Sequence, residues 1–211
     1  MGTSPLALDH VAIPKIRGNT VLDVGCGFGK WGFLAKQYFW CTQNGSMVQE
    51  PLVAGIDLHY ANVQRLNQQQ IYDIVIHGSA THLPFQDKSF DTVLAFELLE
   101  HLTEADGYQA LREFERVARQ CILLSTPNKK CLRDGLECVT GFNPHEAHLS
   151  WWQIKDFQAL GYRCYGLGMK LPPAWLWNAV EFSYLSYRLP VISDTLFCVK
   201  LLTQTFQGNG K

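Results

Sequence analysis

The chain has 211 residues, with 18 Lys and Arg against 19 Asp and Glu and a formal net charge of −1. That length fits one domain with a sizeable core, and the balanced charge supplies no global attraction to nucleic acid. Seven cysteines, Cys26, Cys41, Cys121, Cys131, Cys138, Cys164 and Cys198, form no CxxC pair and are odd in number, which indicates neither a zinc knuckle nor a disulfide framework and fits a reducing compartment. Residues 1–17 lack the charged start, apolar centre and cleavage site of a signal peptide, and no run reaches about 18 apolar residues, so a cytoplasmic protein without a transmembrane segment is expected.

The first predicted strand, 20–24, runs straight into Asp23-Val24-Gly25-Cys26-Gly27-Phe28-Gly29-Lys30. Alternating glycines let a backbone turn sharply and approach a ligand with no Cβ in the way. The spacing is GxGxG, without the later glycine of a dinucleotide fingerprint, and the acid before it suits a ligand that carries an ammonium group better than a pyrophosphate. A helix over about 30–43 follows, then a strand over 52–57 closing on Asp57, a helix over about 60–70 and strands near 73–77 and 91–96. Thr103 with Asp106 resembles a capping box for the next helix, whose buried stripe is Leu111, Phe114 and Val117. After a strand near 121–125, Ser150 with Gln153 reads as the capping box of a helix that turns Ile154, Phe157 and Leu160 inward and ends at Gly161. Strands near 162–167 and 195–202 make a last antiparallel pair. Between them, residues 171–192 form an aromatic-rich insertion holding Trp175, Trp177, Phe182, Tyr184 and Tyr187. It reads as core or subunit packing, with a hydrophobic lid or membrane-surface contact as the sharper alternative. Short apolar runs alternating with helices predict an α/β fold in a single domain, 1–211, with a seven-stranded, mostly parallel, doubly wound sheet and its ligand crevice at the carboxyl ends of the strands.

DVGCGFG resembles the first motif of class I S-adenosylmethionine (SAM)-dependent methyltransferases. Gly55-Ile56-Asp57-Leu58, Gly78-Ser79-Ala80, Ser89-Phe90-Asp91-Thr92-Val93-Leu94, Glu97-Leu98-Leu99-Glu100-His101-Leu102 and Leu124-Ser125-Thr126-Pro127-Asn128 resemble further stretches of the family in order, over roughly residues 20–168. The resemblance implies SAM as cofactor and S-adenosylhomocysteine as product. It implies Asp23 at the methionine end, the loop residues Gly25, Cys26, Gly27 and Gly29 around the cofactor, Asp57 on the ribose hydroxyls, Leu58 beside the adenine and Phe96 at the end of the fourth strand. Ser79 stands where relatives commonly carry an acid for the adenine amino group; its hydroxyl still accepts a hydrogen bond, with Ala80 offering backbone.

Glu97, Glu100 and His101, at i, i+3 and i+4, are expected to share one face of a helical turn. E-x-x-E-H in this place resembles the metal-binding set of small-RNA 3′-terminal 2′-O-methyltransferases and of some quinone-ring O-methyltransferases, and His148 matches the place of a further histidine in the RNA enzymes. A divalent metal therefore stays open, since the same glutamate and histidine also orient a loop in metal-free family members. Glu97, His101 and His148 are the candidate catalytic groups, and His145 is a further candidate proton acceptor. The Asn-Pro-Pro-aromatic motif of base amino-group methylation is absent. A hydroxyl of a small molecule, glycan or lipid precursor is the first expectation for the acceptor, an RNA 2′-hydroxyl the second, and a SAM-binding protein without turnover the third.

Overall fold

A computed structural model of the protein describes residues 4–42, 51–132, 134–138, 141–168 and 187–202. Among these, seven strands form one sheet: β1 (Thr20–Val24), β2 (Leu52–Asp57), β3 (Ile74–His77), β4 (Phe90–Phe96), β5 (Ala118–Pro127), β8 (Arg163–Leu167) and β9 (Thr195–Leu201), in the order β3-β2-β1-β4-β5-β9-β8. β1 to β5 pair in parallel, and β9 runs antiparallel to both β5 and β8. The expected mostly parallel, doubly wound sheet with its antiparallel strand is present. β1, β2 and β4 read as nearly continuous apolar runs because helices cover both faces. Successive side chains point to opposite faces, so Val21 joins one core cluster and its neighbour Leu22 the other.

On one face lie α4 (Glu104–Val117) and α5 (Ile154–Ala159), which bury Leu111, Phe114, Val117 and Phe157. Each such side chain contributes about 1.5–3 kcal/mol by leaving water. The other face holds α2 (Lys30–Thr42) and α3 (Tyr60–Gln69), with Trp31, Ala35, Phe39 and Leu66 buried. Leu8, Ala12 and Ile16 join that cluster from an N-terminal stretch of 3-10 turns around a short α1 (Asp9–Ala12), an element the sequence reading did not anticipate. Lys30 ties this stretch down: Nζ lies 2.6 Å from Asp9 Oδ1 and donates to Ser4 O at 3.1 Å and Ser4 Oγ at 3.2 Å.

At the start of α4, Thr103 Oγ1 accepts from the Asp106 N–H at 3.2 Å, as expected of a cap. The start of α5 requires a correction. Ser150 is not its cap; the N-cap is Gln153, whose N–H donates to Asp156 Oδ2 at 2.9 Å. Ser150 is instead drawn away by Leu99, to whose carbonyl its hydroxyl donates at 3.0 Å. Gly161 closes the helix at φ 82°. A second small sheet pairs β6 (Leu136–Cys138) with β7 (Gly141–Asn143), also unforeseen. Of the aromatic insertion, Trp175, Trp177, Phe182 and Tyr184 lie outside the described residues, while Tyr187 stacks on Tyr165 with ring centroids 4.6 Å apart.

Candidate functional site

The crevice at the carboxyl ends of β1, β2 and β4 begins at the glycine loop. Gly25, Gly27 and Gly29 have φ of 73°, 51° and 86°, left-handed values that a side chain would strain. The loop is pinned to β2: the N–H groups of Gly25 and Cys26 donate to Ile56 O at 2.8 and 3.2 Å, and that of Gly27 donates to Asp57 Oδ2 at 2.7 Å. Asp57 Oδ1 accepts from the His59 N–H at 2.8 Å and from Asn62 Nδ2 at 3.3 Å. Burial raises the Asp57 carboxyl above its usual range, against these three hydrogen bonds and the nearby His59. A carboxylate offers about four acceptor positions, so this one keeps capacity toward the cleft, which it lines.

Asp23 sits below the loop rather than in the cleft wall. It is 1 % exposed, and its Oδ2 accepts from the Tyr72 hydroxyl at 2.6 Å. Burial raises its carboxyl to about 7, opposed by the Tyr72 hydrogen bond and reinforced by the charge of Asp57. Tyr72 reaches it because Gly32 stands in α2 where its ring passes: a Cβ at Gly32 would overlap the Tyr72 ring, and the Gly32 N–H donates to the same hydroxyl at 3.2 Å. The side chain of Cys26 turns into the core beside Tyr72 and Gly55 and is 5 % exposed.

Beyond β4, Phe96 lines the cleft and packs on Trp31 with centroids 4.0 Å apart. Glu97 follows at φ 52°, an uncommon conformation for a residue with a side chain. Its Oε1 accepts from Ser125 Oγ at 2.6 Å, and its N–H donates to Ser125 O at 3.0 Å. Burial pushes its carboxyl up to about 7, with Ser125 and the charge of Lys30 pulling the other way.

The expected shared face of Glu97, Glu100 and His101 does not form. The left-handed backbone at Glu97 ends the strand, and only Leu99–His101 makes a 3-10 turn, so Glu97 faces Ser125 while Glu100 is carried to Thr126, from whose hydroxyl it accepts at 3.0 Å. What gathers instead is Glu100, His101 and His148, whose ligating atoms lie within 4.8 Å of one another. The rings of His101 and His148 meet edge to face at 4.9 Å. His101 Nδ1 pairs with Ala147 O at 3.1 Å, which assigns the proton to Nδ1, and Nε2 lies 3.9 Å from Glu146 Oε2. Oxygen and imidazole donors of this kind suit a divalent cation.

The cleft is open to solvent. Of the candidate residues, Gly25, Gly27, Asp57, Leu58, Ser79, Ala80, Phe96, Glu97 and His101 line it; Asp23, Cys26, Gly29 and His148 stand behind its wall. Ser79 Oγ shares a hydrogen bond of 2.8 Å with Thr81 Oγ1. The lining also includes Phe28, Asn62, Asn143, His145 and Glu146. Tyr72, Asn62 and Glu146 were missed from the sequence. A glycine inside a helix, Gly32, was the available signal for Tyr72, since a helix interior disfavours glycine unless something needs the space.

A parallel sheet with a glycine turn, two buried acids and a crevice at the strand ends defines a ligand-binding α/β domain of the Rossmann-like class. The family profile described as a methyltransferase domain matches residues 22–121. Methyltransferase GfsG of Streptomyces halstedii is 36% identical over 105 residues, which make up 48% of this chain and 34% of that protein. The PH0226 protein of Pyrococcus horikoshii superposes with a TM-score of 0.61 at 17% identity, over 93% of this chain and 88% of that one. Magnesium protoporphyrin IX methyltransferase of Synechocystis, solved with bound SAM, gives a TM-score of 0.53 at 17% identity over 90% and 74% of the two chains. Residues 22–121, just under half of this chain, thus match the methyltransferase-domain family, and the fold is the one seen in that SAM-bound enzyme. The chain spans about a third to about half of the length of the curated relatives it matches.

Proposed function

We propose that the cleft binds SAM and directs its methyl group to a hydroxyl of a small molecule, glycan or lipid precursor, releasing S-adenosylhomocysteine. The observation that carries this reading is the union, in one cleft, of Asp57 fixed on the Gly27 N–H and Glu97 fixed on Ser125, with Asp23 buried beneath the loop. The donor set fits a cationic ligand: among the described residues the lining includes Asp57, Glu97 and Glu146 and no Lys or Arg, and burial has lifted Asp23 and Glu97 to about 7, a cost that a neighbouring positive charge relieves. When bound, SAM supplies an activated methyl group on a sulfonium.

The chain's own residues then have separate tasks. Asp57 accepts hydrogen bonds from adjacent hydroxyls, Leu58 and Phe96 provide apolar contact, and Ser79 and Ala80 bound the far end. Asp23 supplies negative charge at the methionine end without lining the cleft. Displacement of this kind needs mainly alignment. An alcohol must also lose its proton as its oxygen bonds to the methyl carbon and the carbon–sulfur bond breaks, and Glu97 or Nε2 of His101 receives it. The scarcity of basic lining residues disfavours a polyanionic acceptor.

A second reading, metal-assisted methylation of an RNA 2′-hydroxyl, is favoured by the grouping of Glu100, His101 and His148. The deciding experiment is calorimetry with SAM, followed by transfer of radiolabelled methyl into extract fractions of small molecules, lipid, glycan, protein and RNA, with and without a chelator. Chelator-insensitive label in a non-RNA fraction, lost in Glu97→Gln, supports the first reading. RNase-sensitive label lost on chelation supports the second. SAM binding with no label in any fraction overturns both in favour of a binding protein without turnover.

A further inference from the structure

At the outer edge of the sheet, Cys164 of β8 and Cys198 of β9 stand directly opposite each other in the antiparallel ladder. Their sulfurs are 3.3 Å apart, with Cys198 Sγ donating to Cys164 Sγ. Residues opposed in this way have Cα atoms about 4.5–5.5 Å apart, inside the range of about 4.4–6.8 Å that a disulfide spans, so a bond between them needs no backbone rearrangement. The two thiols differ in access: Cys198 is fully buried against the core, whereas Cys164, on the edge strand, is half-buried and also contacts Ile154 O at 3.9 Å. The hydrogen bond from Cys198 favours the thiolate at Cys164, and burial disfavours it at Cys198.

We propose that Cys164 and Cys198 form a reversible dithiol–disulfide pair, with Cys164 as the attacking thiol and Cys198 as the resolving one. With a small disulfide such as oxidised glutathione as oxidant, the Cys164 thiolate attacks one glutathione sulfur, forms a mixed disulfide and releases the first glutathione thiolate. Cys198 then gives up its proton and attacks Cys164 Sγ, which breaks the mixed bond, forms the Cys164–Cys198 bond and releases the second glutathione. The two cysteines lose two electrons, glutathione gains two, and the two protons leave with the two glutathione thiols. The product ties β8 to β9 at the base of the long connection between them, closing a loop of 34 positions and so restricting the unfolded chain.

The test equilibrates the full-length reduced protein in glutathione buffers of graded poise, followed by alkylation, intact-mass measurement and peptide mapping. The expected result is loss of two alkylatable thiols, one cross-linked peptide pair containing Cys164 and Cys198, and an oxidised form that melts at a higher temperature than the reduced form. Cys164→Ser is expected to abolish the cross-link and the melting shift, leaving Cys198 unmodified. Cys198→Ala is expected to stop at a glutathione adduct on Cys164. Should Cys198→Ala fail to fold, Cys164→Ser and the wild-type map decide alone. A wild-type protein that keeps both thiols at every poise, holds a persistent glutathione adduct on Cys164, or cross-links a different pair would overturn the proposal.

Discussion

On the glycine-loop side of the cleft, Gly25, Gly27 and Asp57 come from two adjacent strand ends and are joined by backbone N–H groups donating to a carbonyl and a carboxylate. On the histidine side, Glu97, Glu100, His101, Ser125, Thr126 and His148 come from three separated stretches and meet mostly through side chains. Main-chain donors keep their geometry whatever residue carries them, so the first side depends on a few glycines and one acid. The second depends on the identity of nearly every participant and is where specificity can change without disturbing the fold.

The sharpest break between the two sides is Glu97→Gln. It is expected to lower kcat about 10²-fold and to weaken SAM binding as well, since it removes an acid facing the cationic ligand, and to remove the rise in rate toward pH 7 that a base titrating at about 7 gives the wild type; steady-state kinetics across pH and calorimetry check these. Asp57→Ala acts on the other side, weakening SAM binding about 10–100-fold, the effect of losing hydrogen bonds to a charged group, as calorimetry would read.

Two stability effects separate the sides further. Asp23 and Glu97 have folded values near 7 against ordinary values of 3.8 and 4.5, so the folded state holds their protons more tightly than the unfolded one. Their contribution is full below pH 4 and is lost as pH rises through 7, a decline on the order of a few kcal/mol for the ligand-free protein. Urea titrations at several pH values are expected to show it, shallower in Asp23→Asn. Gly32→Ala, which drives a methyl group into the Tyr72 ring, is expected to cost about 1–3 kcal/mol. His148→Gln gives the smallest effect, under about threefold in rate, if no metal participates; a larger loss matched by chelation would redraw the histidine side as a metal centre.

The same contrast explains what was legible in the sequence. β1, β2 and β4 announce themselves as apolar runs closing on acids or glycines, and α4 by its cap and its buried stripe, because these signals are local. The pairing of Tyr72 with Asp23 spans 49 positions and leaves only the odd glycine in α2 as a trace. The face expected of Glu97, Glu100 and His101 failed because helical spacing was applied to a stretch whose first residue is left-handed. Ser150 looked like a cap by composition, but the Leu99 carbonyl competed for its hydroxyl. That His148 would join Glu100 and His101 followed from the resemblance and not from any spacing within this chain.

Lys30 draws these threads to the first residues of the chain. Its ammonium is shared between Asp9 and Ser4 on one side and the electrostatic field at Glu97 on the other. The same stretch is held at Trp31, whose Nε1 donates to Ser4 Oγ at 3.1 Å. The cation that holds residues 4–9 against the domain therefore also favours the ionised form of a carboxyl in the cleft, so that a single side chain serves both packing and charge.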